Sequence, residues 1–115
     1  MISRRKKMFI HNEDVESTVM LEGVTRKILA HSENIMMVEV SLGKGIVLPK
    51  HAHVHEQVTY VIKGRLEFEV DGQKRIMKAG DSVYMGSNIE HMVVVLEDDA
   101  LVVDVFTPQR EDFLK

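Results

Sequence analysis

Residues 45–64 read GIVLPKHAHVHEQVTYVIKG, and the spacing of polar residues within this glycine-bounded stretch is the most informative feature of the chain. His51, His53 and Gln57 occur at even intervals inside a run of mostly apolar and β-branched residues. Side chains separated by an even number of positions point to the same face of a β-strand. The spacing therefore predicts that the three side chains share one strand face, where they could surround a metal ion.

A fourth candidate ligand, His91, follows a second glycine-bounded segment that begins at Gly80. Three imidazoles and one amide oxygen suit a divalent transition metal. We therefore expect one such ion, and the sequence leaves nickel, zinc, manganese, iron and cobalt open. Glu56 would replace Gln57 as the third ligand if the strand were bulged, whereas the alternation from the histidines favours Gln57.

The length and composition of the chain indicate one domain. With 115 residues, of which 44% are hydrophobic, the chain can bury one core but is too short for a second. We predict a single domain over residues 1–115, with residues 1–8 as a basic tail. The basic run from Arg4 to Lys7 could bind a polyanion, but a solvated terminus is the expected state. The formal net charge of −3 indicates no general affinity for nucleic acid or for anionic membranes.

The sequence contains no cysteine, which excludes disulfide scaffolds, thiolate nucleophiles and cysteine-based zinc sites and fits a reducing compartment. No apolar segment of signal-peptide length follows the basic start, and no run of about 18 apolar residues could span a bilayer. We therefore predict a cytoplasmic protein.

Short apolar runs separated by glycines predict an all-β domain. The clearest hairpin follows Leu66, Phe68 and Val70, which alternate with glutamates before Asp71 and Gly72 form the turn. Eight strands are predicted, over residues 24–29, 34–42, 53–62, 65–70, 73–78, 81–85, 91–96 and 100–106. Many short strands joined by regular turns are typical of a sandwich or a barrel.

The two glycine-bounded segments resemble the two motifs of the cupin superfamily. The first motif runs glycine, five residues, H-x-H, three or four residues, a carboxylate, six residues and glycine, and it matches Gly45, His51, His53, position 57 and Gly64. In the second motif only Gly80 and His91 match, and the usual Pro, Gly and Asn are replaced by Gly86, Asn88 and Val95. The resemblance spans residues 45–95 and implies the cupin double-stranded β-helix, a small jelly-roll-like barrel.

Gln57 stands where cupins usually have a glutamate. A neutral amide leaves the cation with its full formal charge, which favours Lewis-acid chemistry over oxygen activation. His55 shares the parity of the candidate ligands. It could be an outer contact of a ligand, a contact for the substrate, or a side chain turned away by a local bulge.

The sequence DVFTPQR, residues 104–110, places Asp104, Phe106 and Arg110 at even spacing, with Pro108 bending or ending the strand between the last two. An aspartate within an apolar run must be paired, exposed or directed into a polar pocket, because burying it alone costs several kcal/mol. One interpretation pairs Asp104 with Arg110 in a structural salt bridge. The other places Asp104 beside the metal as a proton-transfer group and leaves Arg110 free to bind a carboxylate.

This C-terminal segment, together with the HEQ at residues 55–57, resembles the small single-domain cupins of the pectin-degradation KdgF family. Members of that family convert 4,5-unsaturated uronates to linear 5-keto-4-deoxyuronate. By position, the resemblance implies His51, His53, Gln57 and His91 as metal ligands. It also implies Asp104, Phe106 and Arg110 as residues around the substrate.

The sequence leaves two other functions open: a noncatalytic cupin that binds a sugar or an acid, and a metal-dependent dioxygenase. Asp104 and Arg110 favour the uronate isomerase over the binding protein, and Gln57 favours it over the dioxygenase. For the isomerase, the expected partner is a small anionic sugar. A small sheet also has edges to cover, and exchange of the strands before Gly43 between two chains would do so, so we expect a homodimer.

Overall fold

The computed structural model describes residues 7–115, so most of the predicted basic tail lies outside the described residues. Within this range, eight antiparallel strands form one continuous sheet that curls into a barrel. The strands are β1 (Thr18–Leu21), β2 (Val24–His31), β3 (Met36–Leu42), β4 (Val47–His51), β5 (Glu56–Val70), β6 (Gln73–Lys78), β7 (Ser82–Met85) and β8 (His91–Thr107). Two short 3₁₀ helices, Asn12–Asp14 and Glu111–Leu114, flank the strands. Within residues 7–115, neither helix has the length or the apolar surface to cross a membrane.

The two long strands, β5 and β8, join the two halves of the barrel. They pair with each other from Glu56 opposite Thr107 to Val70 opposite His91, with shifts of register near the middle. In one half of the barrel, β7 pairs with β5. On the other side of this half, β3 pairs with β8, β2 pairs with β3, and β1 pairs with β2. The other half adds β6 to β5 and β4 to β8. Each long strand therefore contributes residues to both halves.

Gly64 lies where β5 passes from one half of the barrel to the other. Its φ is +98°, a backbone conformation that side chains disfavour. A Cβ atom on this residue would lie 2.8 Å from the Cβ of Ala100 on β8. The close approach of the two strands at this bend therefore requires glycine.

The core lies between the two halves and is built by strict alternation along the strands. On β3, every second side chain from Met36 to Leu42 is buried. Buried side chains from the other strands meet them, namely Val24, Val61, Leu66, Phe68, Val93, Val95, Ala100, Val102 and Phe106. The prediction of an all-β, jelly-roll-like barrel is confirmed.

The prediction that residues 51–57 form one strand face is wrong. β4 ends at His51, β5 begins at Glu56, and the residues between them form a connection. The backbone of this connection bonds outside the strand ladders, since the His53 carbonyl accepts from the Asn88 N–H at 2.8 Å. The even spacing brings the candidate ligands together around a turn and not along a strand.

The structure also differs from the predicted strands in number and length. The predicted pairs 53–62 with 65–70, and 91–96 with 100–106, are each one continuous strand. The strands β1 and β4 were not predicted. β4 contains Pro49 and pairs only with β8, so the proline occupies an edge position where its missing N–H is tolerated.

Candidate metal centre

Three histidines from three parts of the fold meet at one end of the barrel. His51 ends β4, His91 begins β8, and the two are paired across the strands. His53 lies in the connection between β4 and β5. One ring nitrogen from each histidine lies within 4.8 Å of those of the other two, so the cluster could hold a metal ion.

Backbone carbonyls fix the orientation and the tautomer of these three rings. Each Nδ1 atom lies within hydrogen-bonding distance of a carbonyl oxygen: His51 with Pro49 at 2.8 Å, His53 with His55 at 3.0 Å and His91 with Ile89 at 2.9 Å. A carbonyl oxygen can only accept, so each Nδ1 must donate. In the neutral imidazole the Nε2 atom then carries a lone pair, which is the form that binds a metal.

Burial favours the neutral form of His53 and His91. Loss of hydration lowers the pKa of both rings, and the positive charges of Arg110 and of the neighbouring histidines lower it further. The Nε2 atom of His91 is buried and has no hydrogen-bond partner among residues 7–115. Leaving such a group unpaired costs about 1–3 kcal/mol, and a cation at the centre of the cluster would satisfy it.

Gln57 completes the group as a fourth candidate ligand. Its side chain is only 8% exposed, and its Oε1 atom lies 3.1 Å from Nε2 of His53. Because Nδ1 of His53 donates to a carbonyl, the neutral ring and the amide oxygen face each other with lone pairs. Two ligands that lie about 2.1 Å from one ion at right angles are about 3.0 Å apart, so this distance fits a shared cation. The residues present therefore suit a divalent metal.

The structure distinguishes Gln57 from its neighbour Glu56. Glu56 points to the outside of the barrel, where its carboxylate accepts a hydrogen bond from the hydroxyl of Tyr84. There is no bulge at this point in β5, since Gln57 and Glu56 pair with consecutive residues of β8. Gln57 is therefore the residue that the fold brings to the histidines.

Asp104 lies on β8 directly opposite Thr59 of β5. The Thr59 hydroxyl donates a hydrogen bond of 2.6 Å to the Asp104 carboxylate. Burial raises the pKa of Asp104 to about 6, although hydrogen bonds from Thr59 and Gln57 and the charge of Arg110 act in the opposite direction. A carboxyl group with this pKa can both take up and release a proton near neutral pH.

Arg110 follows the end of β8, which stops at Thr107 directly before Pro108, as predicted. Within the described residues it pairs with Asp112 through two hydrogen bonds of 3.1 and 2.9 Å and makes no salt bridge to Asp104. This pairing lowers the pKa of Asp112. The guanidinium also lies over the ring of Phe106, 5.1 Å from its centroid. Arg110 is therefore held at the site by a partner that the sequence did not indicate.

His55 lies at the edge of the same group. Its ring centroid is 5.6 Å from that of His53 and 6.4 Å from that of Phe106. Its Nδ1 atom is buried without a partner among residues 7–115. Of the three interpretations of His55, the structure disfavours the one in which a bulge turns it away.

Sequence reasoning missed four residues of this region: Thr59, Asp112, Phe113 and Arg26. Phe113 lies between two guanidinium groups, with Arg110 4.3 Å and Arg26 4.0 Å from its ring centroid. Arg26 has the same parity on β2 as the core residue Val24. An arginine at an inward position of a strand was therefore the signal in the sequence that could have identified Arg26 as part of this region. The indication for Thr59 was its even spacing from Gln57 in the same strand.

The inside of the barrel contains a cavity of about 100 Å³. Its polar wall contains His51, His91, Gln57, Thr59, Asp104 and Arg110. The remainder is apolar and consists largely of core side chains, including Phe68 and Met85. The cavity therefore combines a possible metal site, a carboxyl group of raised pKa and an arginine, and it could bind and transform a small anionic molecule.

Comparison with known proteins agrees with this architecture. The family model described as "Cupin domain" matches residues 38–106. The chain is 42% identical to the pectin degradation protein KdgF of Dickeya dadantii (strain 3937) over 94 residues, which cover 81% of this chain and 86% of that protein.

Two solved structures share both fold and sequence with this protein. KdgF from Halomonas sp. is 36% identical with a TM-score of 0.89, and the match covers 94% of this chain and 99% of that one. An RmlC-like cupin from Shewanella frigidimarina NCIMB 400 is 32% identical with a TM-score of 0.90, covering 96% and 99%. The chain therefore belongs to the cupin family and is a relative of the pectin degradation protein KdgF.

Proposed function

We propose that this protein is a metal-dependent isomerase that converts 4,5-unsaturated uronates to linear 5-keto-4-deoxyuronate. The observation that carries the proposal is the hydrogen-bonded chain from Gln57 through Thr59 to Asp104, which links the candidate metal site to a carboxyl group of raised pKa within one cavity. The relatives named for pectin degradation support the same substrate class.

The reaction is an isomerisation in two steps, so substrate and product have the same composition. The substrate is a cyclic hemiacetal with a C4=C5 enol ether and a carboxylate on C5. The C1 hydroxyl loses a proton and the bond from C1 to the ring oxygen breaks, which leaves an aldehyde at C1 and an enolate at C5. The enolate then gains a proton at C4 and becomes the 5-ketone. The catalyst must therefore move protons and stabilise negative charge on oxygen.

Asp104 is our candidate for the proton transfers. With a pKa raised to about 6, its carboxylate can accept the proton of the C1 hydroxyl, and the resulting acid can deliver a proton to C4. A divalent metal held by His51, His53, Gln57 and His91 would supply electrophilic stabilisation of the oxygen on which negative charge develops.

Arg110, Phe106 and His55 are our candidates for binding the substrate. Asp112 occupies Nε and Nη2 of Arg110, so Nη1 is free of this pairing and can donate to the substrate carboxylate. Phe106 provides an apolar wall between Arg110 and His53. His55 lies next to Phe106 and has a buried ring nitrogen available for a hydroxyl group.

The direct test mixes fresh 4,5-unsaturated galacturonate with the purified protein and follows the loss of enol-ether absorbance. We expect decay faster than the spontaneous reaction, abolished by a chelator and slowed at least about 100-fold by Asp104→Asn. Arg110→Ala should raise KM more than it lowers kcat. Decay no faster than the background, with metal bound and the fold intact, would contradict the proposal and favour a noncatalytic binding protein. A requirement for oxygen would instead favour the dioxygenase.

We also propose that the protein is a cytoplasmic homodimer. The outer face of β5 carries Val58, Tyr60 and Ile62, which are 44%, 49% and 42% exposed. The register places exposed Tyr84 beside Val58 and continues the apolar row through β8 to Met37 on β3. We name the face formed by these side chains the β5 face. An apolar patch across four strands is unusual on a monomer, and a second copy offers the same face, as a two-fold interface requires.

A further inference from the structure

Thr59 occupies a central position in the polar wall of the cavity. It lies on β5, points inward and is only 1% exposed. Its hydroxyl accepts a hydrogen bond of 2.9 Å from Nε2 of Gln57 and donates one of 2.6 Å to Asp104. No other hydroxyl group among residues 7–115 bonds to either of these two side chains.

The direction of these two bonds follows from the number of protons available. An ionised carboxylate can only accept, so the single hydroxyl proton of Thr59 goes to Asp104. The oxygen of Thr59 can then only accept from Gln57, which requires the NH₂ end of the amide to face Thr59. The amide oxygen is thereby turned toward His53, from whose Nε2 atom it lies 3.1 Å away.

We propose that Thr59 is a positioning residue that selects the oxygen end of the Gln57 amide as a metal ligand. An amide has one donor end and one acceptor end, and only the oxygen can bind a cation. Among the described contacts only the Asp104 carboxylate also favours this orientation of the amide, and the Thr59 hydroxyl is bonded to both side chains. Without the hydroxyl, the amide loses its partner at 2.9 Å and can rotate to present NH₂ to the metal. The inference rests on the proposed metal site and is independent of the proposed reaction.

With glutamate at position 57, the Thr59 hydroxyl would not be needed to select an oxygen atom as the metal ligand. Both ends of a carboxylate are oxygen, so either orientation presents a ligand atom. The inference therefore predicts that the importance of Thr59 depends on the chemistry of residue 57. A merely structural role for Thr59 would give the same loss with either residue.

The test is a double-mutant cycle that measures the affinity of the metal-stripped protein for Co²⁺. We would compare wild type with Thr59→Val, Gln57→Glu and the double variant, using chelator competition and the visible spectrum of the bound ion. Thr59→Val should weaken Co²⁺ binding about 10- to 100-fold and change the spectrum. In the Gln57→Glu protein the same substitution should change the affinity by no more than about twofold. Thr59→Ser, which keeps the hydroxyl, should bind like wild type.

Equal losses in both backgrounds, or wild-type affinity of Thr59→Val, would overturn the inference. Thr59→Ala provides a second variant without the hydroxyl and with no added bulk, in case the valine protein fails to fold. Failure of wild type to bind Co²⁺ would remove the metal site itself and the inference with it. If wild type binds the ion and only the threonine variants behave unexpectedly, the proposed function stands and the role of Thr59 falls.

Discussion

Asp104 shows how a single partly buried side chain can be unfavourable for stability and useful for chemistry. Its raised pKa means that the folded protein disfavours the ionised form, mainly because burial removes water from the carboxylate. The hydrogen bond from Thr59 recovers part of this cost. The remaining cost is what keeps a proton available near neutral pH.

The raised pKa of Asp104 predicts a pH dependence for the stability of the metal-free protein. Between the ordinary pKa of 3.8 and about 6, the folded state holds more of this proton than the unfolded state. The contribution of Asp104 to stability therefore falls as pH rises through this window, by at most about 1.4 kcal/mol per pH unit. Asp104→Asn removes the ionisation, so its stability relative to wild type should increase from pH 4 to pH 7.

Denaturant unfolding of both metal-free proteins across this pH range measures the effect. The difference between the two proteins matters, because the lowered pKa values of His53 and His91 give wild type an opposite trend. The stability that these two rings contribute to the fold is lost as pH falls below their ordinary pKa. A stability difference that stays constant with pH would show that folding does not raise the pKa of Asp104.

At the scale of the strands, the bend in β5 is the feature most sensitive to one added carbon. Gly64→Ala would combine an unfavourable φ of +98° with a contact of 2.8 Å to Ala100. Gly80 is a matched control, because its φ is +94° and a Cβ there meets nothing within 4 Å. We expect Gly80→Ala to cost about 1–3 kcal/mol from backbone strain and Gly64→Ala to cost about 1–3 kcal/mol more.

Equilibrium unfolding of the two alanine variants tests this comparison. Equal losses would mean that the bend relaxes without cost and that only the backbone conformation matters. A larger loss for Gly64→Ala would establish the close approach of β5 and β8 as a separate requirement.

The sequence predicted most strands because their alternation is clear, and it failed where tertiary contacts decide the local structure. The continuous β8 crosses the polar stretch from Glu97 to Asp99, which reads as a loop until β5 is seen to pair beside it. Pro49 reads as a strand breaker until its edge position is known. The sequence predicts Thr59 only as a strand residue. Its hydrogen bonds to Gln57 and Asp104 depend on a cross-strand register that one sequence does not reveal.

Within the candidate site, local patterns predicted residues but not their partners. Asp104, Phe106 and Arg110, which share even spacing in the sequence, all line the cavity. Spacing could not decide which carboxylate pairs with Arg110, because the turn after Pro108 brings Asp112 to the guanidinium group. The alternative Asp104–Arg110 pair is not formed in the described structure.

At the scale of the whole molecule, the β5 face predicts how the protein associates. Tyr60→Lys places a charge at its centre, and Ile76→Lys places one on an equally exposed residue of β6, in the other half of the barrel. We expect wild type and Ile76→Lys to sediment as dimers at micromolar concentration and Tyr60→Lys to sediment as a monomer. A mass near 13.1 kDa for wild type would refute the dimer, and a dimeric Tyr60→Lys would place the interface elsewhere.

The shared long strands also have a consequence for the order of folding. Val70 pairs with His91, 21 positions further along the chain, whereas Glu56 pairs with Thr107, 51 positions further along. Contacts between distant residues form slowly, because a large loop must close first. His53 and Gln57 lie at the end of the β5–β8 pairing that closes the larger loop, and His91 lies at the other end. The four candidate ligands therefore meet only when the barrel has closed, and a bound ion would distinguish the finished barrel from every partly folded chain.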